Sequence, residues 1–407
     1  MSRTRTALSY LGLLASVLLS TATASQLAGC RKKPGEATSA RKTPGGTVPT
    51  PAARAIYVTN NGSDSLSVID RDGDLVTTIG VDYDPDAREA PHHLARTPDG
   101  TSLFVALAFP PEGSVKKKKD PHAAHGSSDT FGFLARVDPA SLAVLDVREV
   151  DENPGDVVLT HDGTRAIVTH FDMKRAMTVA AQGNASPSTM FARLQVWDTR
   201  TLTRTAERPI CVAPHGTAIT PDDTLAIVAC YGSDELVVVD LTKTTLPVSR
   251  YPLGNAQGVP GVPRYGPYSV ALVPGSSDVL VANLEANDLR VFDLTARTFR
   301  ANATITLGAK AFMPAAKDTT TAYVPLQAPD SLVRVDLSAG KVAAQVVKSP
   351  DECKAPHAFG IEGSRVFVVC EGDHKAPGTV LEVDPVSLAT KRKWTVGVYP
   401  DGFAFGR

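Results

Sequence analysis

The chain has 407 residues, a formal net charge of −1, 43% hydrophobic residues and 21% charged residues. This composition predicts a folded protein, and the near-zero net charge argues against nucleic acid as a partner, because nucleic-acid binding needs a strongly basic surface. The 31 glycines and 30 prolines favour a fold of many short strands joined by turns.

Residues 1–29 have the features of a secretory signal peptide in their usual order. Arg3 and Arg5 precede an apolar stretch from Ala7 to Leu19, which is shorter than the ~20 residues that a membrane-spanning helix needs. The stretch leads to the sequence Leu27-Ala28-Gly29-Cys30, which resembles the lipobox of bacterial lipoproteins. The resemblance implies cleavage before Cys30, acylation of its thiol and attachment of the mature protein to a membrane. An ordinary cleaved leader with an incidental cysteine is the alternative.

Residues 30–54 predict a flexible tether, because they are rich in Lys, Arg, Pro, Thr and Gly and carry no apolar periodicity. Arg31, and not an aspartate, follows the cysteine. In many Gram-negative lipoproteins that pattern implies sorting to the outer membrane. We therefore expect an exported protein that is lipid-anchored in the cell envelope, in the outer membrane and facing the periplasm or the cell surface, with residues 55–407 as its folded part.

Seven strand-like segments in that part each end in an aspartate that is followed by a turn. The aspartates are Asp70, Asp138, Asp198, Asp240, Asp293, Asp336 and Asp384. They lie 42 to 68 residues apart, and repeats of about 40 to 50 residues are typical of four-stranded propeller blades. The sequence therefore predicts an all-β, seven-bladed β-propeller with almost no helix. The aspartates are interpreted as structural, since a carboxylate at a strand end accepts backbone N–H bonds from the following turn.

The two ends of this repeat region complement each other. At Ala55 the chain begins with what should be the second strand of a blade, Ile56 to Asn60, and the innermost strand of that blade is missing. The C-terminal segment from Tyr399 to Phe405 has the pattern of the missing strand. We expect it to complete blade one, because closure of the ring removes the exposed strand edges that a linear array leaves.

The sequence Tyr57-Val58-Thr59-Asn60 is the motif of the YVTN family of seven-bladed propellers, and residues 55–407 resemble that family. Only this first copy is literal, and the equivalent positions of other blades read, for example, Ala229-Cys230 and Ala282-Asn283. Relatives by architecture include sugar-lactonase-like propellers and the propeller domains of nitrous oxide and nitrite reductases. The resemblance implies a fold and does not imply an activity.

Two loops between second and third strands are unusually long. Blade two carries Pro110 to Thr130, with the basic run Lys116 to Lys119 and with His122 and His125, and blade three carries Met173 to Met190. In propellers these loops share a face with the loops that lead into the innermost strands, so that face is the candidate functional face. The lysines and the loop histidines are interpreted as solvated, and contact of the lysines with anionic lipid headgroups is the alternative.

Four cysteines follow one pattern in blades four and seven. Cys211 and Cys353 precede an innermost strand, and Cys230 and Cys370 end the second strand, which is its antiparallel neighbour. Both positions lie at the same end of the two strands, and export favours oxidation, so we predict the disulfides Cys211–Cys230 and Cys353–Cys370. Metal ligation by thiolates is the alternative. The sequence contains no Cys-x-x-Cys-His motif, which excludes covalent c-type haem.

Alignment of the blades places a set of polar residues at the mouth of the central channel. They follow the proline that begins each innermost strand, and they are His92, His93, Asp156, His215, Tyr268, His357 and Asp401. Imidazoles and a carboxylate that converge on an axis can bind a transition metal, and the predicted metal ligands are His92, His215 and His357. An anionic ligand, or a polar channel wall without any ligand, are the alternatives. His170, which ends a second strand, is a secondary candidate.

The sequence favours a binding module over an enzyme. It contains no Gly-Lys-Ser/Thr phosphate loop, no Gly-x-Ser-x-Gly elbow and no His-Glu-x-x-His motif. We expect a lipid-anchored envelope propeller that presents its channel-mouth face to another envelope protein or to a small ligand. The alternatives are a metal-binding or redox-associated propeller that uses the histidine ring, and a lactonase-like hydrolase. Against the hydrolase, the ring is richer in His than in Asp, Glu or Asn.

Overall fold

The computed structural model describes residues 45–81, 88–108, 126–128, 130–183, 186–256 and 258–406. The predicted signal peptide, Cys30 and most of the predicted tether lie outside the described residues, and so do Lys116 to Lys119, His122 and His125. Within the described ranges, no helix is long and apolar enough to cross a membrane.

The chain folds into seven antiparallel sheets, which confirms the predicted seven-bladed β-propeller. Blade one is composite, and it contains β1 (Ala55–Asn60), β2 (Ser65–Asp70), β3 (Val76–Gly80) and the C-terminal β30 (Pro400–Phe405). Strand β30 pairs antiparallel with β1, and Tyr57 lies opposite Ala404. The predicted closure of the ring by the last strand is therefore confirmed.

Blades two to four each have four strands that follow one another in chain order. Blade two contains β4 (Pro91–Arg96), β5 (Leu103–Leu107), β6 (Phe131–Val137) and β7 (Val144–Glu152). Blade three contains β8 (Pro154–Leu159), β9 (Arg165–His170), β10 (Ala192–Asp198) and β11 (Thr203–Cys211). Blade four contains β12 (Pro214–Ile219), β13 (Leu225–Cys230), β14 (Glu235–Asp240) and β15 (Val248–Pro252).

Blades five and six each have one strand divided into two short pieces. Blade five contains β16 (Pro267–Leu272), β17 (Asp278–Asn283), β18 (Asp288–Asp293), β19 (Thr298–Phe299) and β20 (Ile305–Thr306). Blade six contains β21 (Lys310–Ala311), β22 (Ala315–Ala316), β23 (Thr321–Gln327), β24 (Ser331–Asp336) and β25 (Lys341–Val347). Blade seven contains β26 (Pro356–Glu362), β27 (Arg365–Cys370), β28 (Pro377–Val383) and β29 (Thr390–Val398).

The hydrophobic core lies between neighbouring blades. Tyr57 and Val68 of blade one pack in one cluster with Val105 and Val137 of blade two. Because a blade is covered on both faces in this way, its inner strands need apolar residues on both sides, and β1 and β2 are buried along their whole length. This explains why a segment such as β5, which is also buried throughout, is an apolar run in the sequence and not an alternating pattern.

Residues 45–54, the end of the predicted tether, pack on the propeller. The N–H of Gly46 donates to the carbonyl oxygen of Ser141 at 2.7 Å, and Val48 packs against the core between blades one and two. Contacts with the propeller therefore begin upstream of Ala55. Short 3₁₀ turns cover Ala52–Arg54, Asn61–Ser63, Pro187–Met190 and Tyr231–Ser233.

The blade-three insertion contains an α-helix that the sequence analysis did not predict, α1 (Met173–Ala181). Asp172 caps its N-terminus, where its side chain accepts a hydrogen bond from the N–H of Arg175. Small and apolar residues recur along one face of the helix at Met173, Ala176, Met177 and Ala180. A single repeat of that spacing over nine residues is too short to distinguish a helix from a loop in the sequence.

The seven aspartates at the ends of the third strands have the structural role that the sequence predicts. In each blade Oδ1 of the aspartate accepts a hydrogen bond from a backbone N–H two or three residues further along the chain. Asp384, for example, accepts from Val386 at 3.0 Å and from Ser387 at 2.9 Å. These carboxylates stabilise turns, which leaves the chemistry to other residues.

Both predicted disulfides are present. The Cα atoms of Cys211 and Cys230 are 5.9 Å apart, and those of Cys353 and Cys370 are 5.2 Å apart. Each bond joins the residue before or near the start of an innermost strand to the end of the neighbouring second strand, as the alignment of blades four and seven indicates. Thiolate metal ligation by these four residues is therefore excluded in the oxidised protein.

Removal of one disulfide should destabilise the propeller measurably. Replacing Cys211 and Cys230 together by alanine should lower the free energy of unfolding by about 3 kcal/mol, because the unfolded chain regains the freedom of the closed loop. Urea denaturation measures the change, and the equivalent double variant of Cys353 and Cys370 should lose a similar amount. Unchanged unfolding midpoints in both variants would contradict the expectation.

Candidate metal centre

A left-handed residue followed by a proline begins the innermost strand in six of the seven blades. The left-handed residues are Ala90, Asn153, Ala213, Gly266, Ala355 and Tyr399, with φ between 48° and 59°. In blades one to five and seven the ladder register also shifts just after the proline, so the regular alternation of side chains is interrupted there. In blade two this bulge buries both His92 and His93, which a regular strand would place on opposite faces.

The structure brings the residues predicted for the channel mouth together in one buried cluster. His92, His93, His215, His357 and Asp401 are each no more than 3% exposed. Asp156 is 5% exposed and Tyr268 is 3% exposed. The cluster lies below the surface, whereas the sequence analysis expected it at an open mouth.

Aromatic contacts hold the imidazoles of this cluster in place. The rings of His92 and His93 stack with centroids 4.3 Å apart, and His215 stacks on Tyr268 at 4.0 Å. The ring of His93 also lies 5.4 Å from that of His215 and 6.2 Å from that of His357. His93 therefore contacts the three histidines that were predicted as metal ligands.

Threonines of the second strands position the backbone of two cluster histidines. Thr59, in the Tyr-Val-Thr-Asn motif, donates to the carbonyl oxygen of His92 and accepts from the N–H of Gly402 at 2.9 Å. Thr169, at the corresponding position of blade three, donates to the carbonyl oxygen of His215 at 2.8 Å. In both cases a threonine of one blade fixes the innermost strand of the next, which gives the motif a physical role at the site.

Two groups of three side chains place their ligand atoms within 4.8 Å of one another, among the residues that the structure describes. The first group is His92, His93 and His215, and the second is His93, His357 and Asp401. The predicted combination of His92, His215 and His357 is not one of them. His93 belongs to both groups because the bulge in blade two brings it onto the same side as His92.

Ring orientation favours the second group as a metal site. The rings of His92 and His93 are stacked and inclined by only 15°, so their nitrogen lone pairs lie in nearly parallel planes and do not converge on one ion. The rings of His93 and His357 are inclined by 70°. Oδ1 of Asp401 lies 3.0 Å from Nε2 of His357 and 3.9 Å from Nε2 of His93, and these distances bracket the ~3.3 Å that separates ligand atoms of a tetrahedral zinc ion.

Each ligand of the second group is held by a buried partner at its other polar atom. Nδ1 of His93 hydrogen-bonds to Oδ1 of Asp156 at 2.8 Å, and Nδ1 of His357 hydrogen-bonds to Oε1 of Glu371. Oδ2 of Asp401 hydrogen-bonds to Nδ1 of His92. Because a carboxylate only accepts hydrogen bonds, Nδ1 carries a proton in each imidazole, and a metal ion would bind at Nε2.

The carboxylates of the cluster set its charge. Burial lowers the pKa of His92 against the opposing effect of Asp401. Burial also lowers the pKa of His357, but Asp401 and Glu371 outweigh it and raise that pKa to about 10. Burial alone would raise the pKa of Asp401, yet His92 and His357 hold it well below its usual range. A divalent ion that binds to Nε2 of His357 therefore takes the place of a proton.

Sequence reasoning did not identify Glu371 and His374. Glu371 is fully buried, and it bonds to His357 through one oxygen and to Nε2 of His374 through the other, at 2.6 Å. The ring of His374 in turn stacks on Tyr399 at 3.5 Å. The usable signal in the sequence is position, since Glu371 directly follows Cys370, whose disulfide to Cys353 fixes this strand end near His357.

His170, the secondary candidate, lies outside both groups. It is fully buried, and its Nδ1 hydrogen-bonds to the carbonyl oxygen of Arg193 at 2.8 Å. The next residue, Phe171, contacts the ring of His215 with centroids 5.1 Å apart. His170 therefore faces a different environment, next to Asp172 and α1.

Asp172 gives the stability of the protein a defined pH dependence. Burial raises its pKa to about 6, so the folded protein keeps this proton at pH values where the unfolded chain has released it. The free energy of unfolding therefore falls as the pH rises from about 4 to about 6. Asp172→Asn keeps an oxygen for the helix cap, and it should be about 2 kcal/mol more stable than the parent at about pH 8 and unchanged at about pH 4. Urea titrations at both pH values measure this, and a destabilised variant at the higher pH would contradict it.

The sequence matches no protein-family model, and no curated protein sequence matches it either. Solved structures do resemble the fold. A protein from Lactobacillus plantarum superimposes with a TM-score of 0.63 at 15% identity, covering 86% of this chain and 99% of that one. Apo AztD from Citrobacter koseri gives a TM-score of 0.53 at 12% identity, with 87% and 98% covered.

A third similar structure is the dihydro-heme d1 dehydrogenase NirN, solved in complex with DHE. It gives a TM-score of 0.55 at 13% identity and covers 89% of this chain and 79% of that chain. At these identities the likenesses show the propeller fold alone. The function therefore has to be inferred from the buried cluster itself.

Proposed function

We propose that this chain is a metal-binding propeller that holds one divalent transition-metal ion through Nε2 of His93, Nε2 of His357 and Oδ1 of Asp401. One observation carries the proposal: each of the three ligands is oriented through its other polar atom by a buried group, namely Asp156, Glu371 and His92. Such outer partners are what metal-binding histidines have in proteins, because they fix the tautomer and the ring orientation.

The three ligand atoms limit which metal ions can bind. Two imidazoles and one carboxylate suit Zn²⁺ or Fe²⁺ and are a poor set for Mg²⁺ or Ca²⁺, which prefer oxygen ligands alone. Three protein ligands leave a further coordination position for an exchangeable group. The ion would lie at the junction of blades one, two and seven, so it would connect the closing strand β30 to the rest of the ring.

Metal analysis of the mature protein tests the proposal. Protein freed of metal with a chelator, reloaded with Zn²⁺ and desalted should retain about one ion per chain by elemental analysis. His161→Ala is the matched control, because His161 also pairs with a carboxylate, Asp223, but its side chain is 55% exposed on the surface. The His161→Ala variant should retain the ion. A parent protein that binds Zn²⁺ only substoichiometrically would overturn the proposal.

We also propose that the protein is exported and anchored to the envelope through lipidated Cys30. The lipobox-like sequence before Cys30 and the two disulfides, which persist in oxidising compartments, support this. Cys30→Ser should move the protein from the membrane fraction to the soluble fraction, and mass spectrometry of the N-terminal peptide should show an acylated cysteine in the parent only. An unmodified Cys30 in membrane-bound parent protein would contradict the anchor.

We propose, as the alternative function, binding of an envelope protein or a small ligand at the channel face without any metal. The closed ring of seven blades supports it, since a rigid propeller suits the presentation of a binding surface. Metal-free protein that captures the same partner as the reloaded protein, with equal yield, would favour this function over the metal centre. Capture that depends on reloading with Zn²⁺ would mean that partner binding requires the metal centre.

A further inference from the structure

A polar pocket lies beside the inserted helix α1, between the end of β7 in blade two and the strands of blade three. It has a volume of about 180 Å³, and its lining includes His170, Glu152, Asp172 and Arg193. This space admits several water molecules, which suits a solute of a few carbon atoms. None of these residues belongs to the candidate metal centre.

His170 presents a hydrogen-bond acceptor in this pocket. Its Nδ1 bonds to the carbonyl oxygen of Arg193 at 2.8 Å, so Nδ1 must carry the proton and donate. Burial lowers the pKa of His170, which keeps the ring neutral. Nε2 therefore has a lone pair, and this atom makes no hydrogen bond with any of the described residues although it is fully buried. A ligand that reaches it has to be a donor.

The charges of the lining also favour a donor. Arg193 is neutralised by Asp151 through two bonds of 2.5 Å, from Nε and from Nη2. Arg175 also lines the pocket and lowers the pKa of Asp172, but burial, with a contribution from Glu152, outweighs it and raises that pKa to about 6. The lining thus holds three carboxylates, those of Asp151, Glu152 and Asp172, against two guanidinium groups, those of Arg175 and Arg193.

We propose that the pocket binds a small protonated amine, whose ammonium group donates hydrogen bonds to Nε2 of His170 and to the carboxylate of Asp172. A metal ion is a poorer occupant, because no set of three ligand atoms around His170 lies within 4.8 Å among the described residues. An anion is also a poorer occupant, since it would face the lone pair of His170 and a lining with one more carboxylate than guanidinium groups. The proposal does not depend on the metal centre.

Ligand-observed NMR and calorimetry with propylammonium, acetate and Zn²⁺ as probes test this inference. Propylammonium should bind saturably with one site per chain, and acetate should not bind. Asp172→Asn retains the helix cap and removes the charge, so it should weaken propylammonium binding about tenfold. His170→Leu should weaken it to a similar degree, and His170→Gln, which keeps an acceptor oxygen, should retain most of the affinity.

Two controls separate this pocket from the metal centre and from effects on folding. Propylammonium binding should be unchanged in a His93→Ala variant, because His93 lies in the metal centre and not in this pocket. If His170→Leu fails to fold, Asp172→Asn and His170→Gln still decide the question. Absence of saturable propylammonium binding to the parent, equal binding to Asp172→Asn, or displacement of the amine by Zn²⁺ in the His93→Ala variant would each overturn the inference.

Discussion

His93→Ala should abolish stoichiometric metal binding and lower the affinity for Zn²⁺ by at least about 100-fold, because it removes a ligand that both candidate groups share. The side chain is 3% exposed, and its Nδ1 is fixed by Asp156, whose other oxygen accepts from the N–H of Thr217 at 2.8 Å. A competition titration against a chromogenic zinc chelator measures the loss.

Variants of the neighbouring histidines locate the ion. His357→Ala should be as damaging as His93→Ala, whereas His215→Ala should retain one ion per chain, because His215 belongs only to the group whose stacked rings cannot converge. His92→Ala removes an outer partner of Asp401 and should weaken binding by about 10- to 100-fold without abolishing it. The reverse pattern, with His215 essential and His357 dispensable, would place the ion in the first group.

The repeat explains why the fold was predictable from the sequence. An aspartate at the end of each third strand sets seven blades in register, and the register in turn shows that blade one lacks an inner strand, which Pro400–Phe405 supplies. It also places Cys211, which ends β11 of blade three and leads into the innermost strand of blade four, beside Cys230. These inferences need only the order and direction of the strands, and the repeat in the sequence is enough to predict both.

The composition of the site was less predictable because it depends on local departures from that period. A regular strand would direct His93 away from His92, and the bulge after Pro91 brings the two together. Glu371 reaches His357 from the end of a second strand, with no motif to mark it. The alignment therefore found the histidines that follow the prolines, and it missed the residues that orient them.

Asp401→Asn should destabilise the metal-free protein by about 3 kcal/mol, which would exceed the effect of replacing any turn aspartate. Asp401 is fully buried on β30, where its carboxylate pairs with His92 of blade two and with His357 of blade seven. Removing one member of a buried charge network costs about 3 to 5 kcal/mol, because the remaining charge stays desolvated. We expect a value near the lower limit, since His357 can lose its proton.

The same change should loosen the ring at its closure. Strand β30 is held to β1 by backbone pairing and to blades two and seven through Asp401, so loss of the carboxylate removes its polar links to both neighbours and leaves the contact of Phe405 with Phe367. Hydrogen exchange should accelerate in β30 and β1 before it does in blade four, whose strands are continuous in the chain. Asp336→Asn, at a turn of blade six, is the control. If it lowers the unfolding free energy as much as Asp401→Asn, or if exchange in β30 is unchanged, the carboxylate does not hold the closing strand.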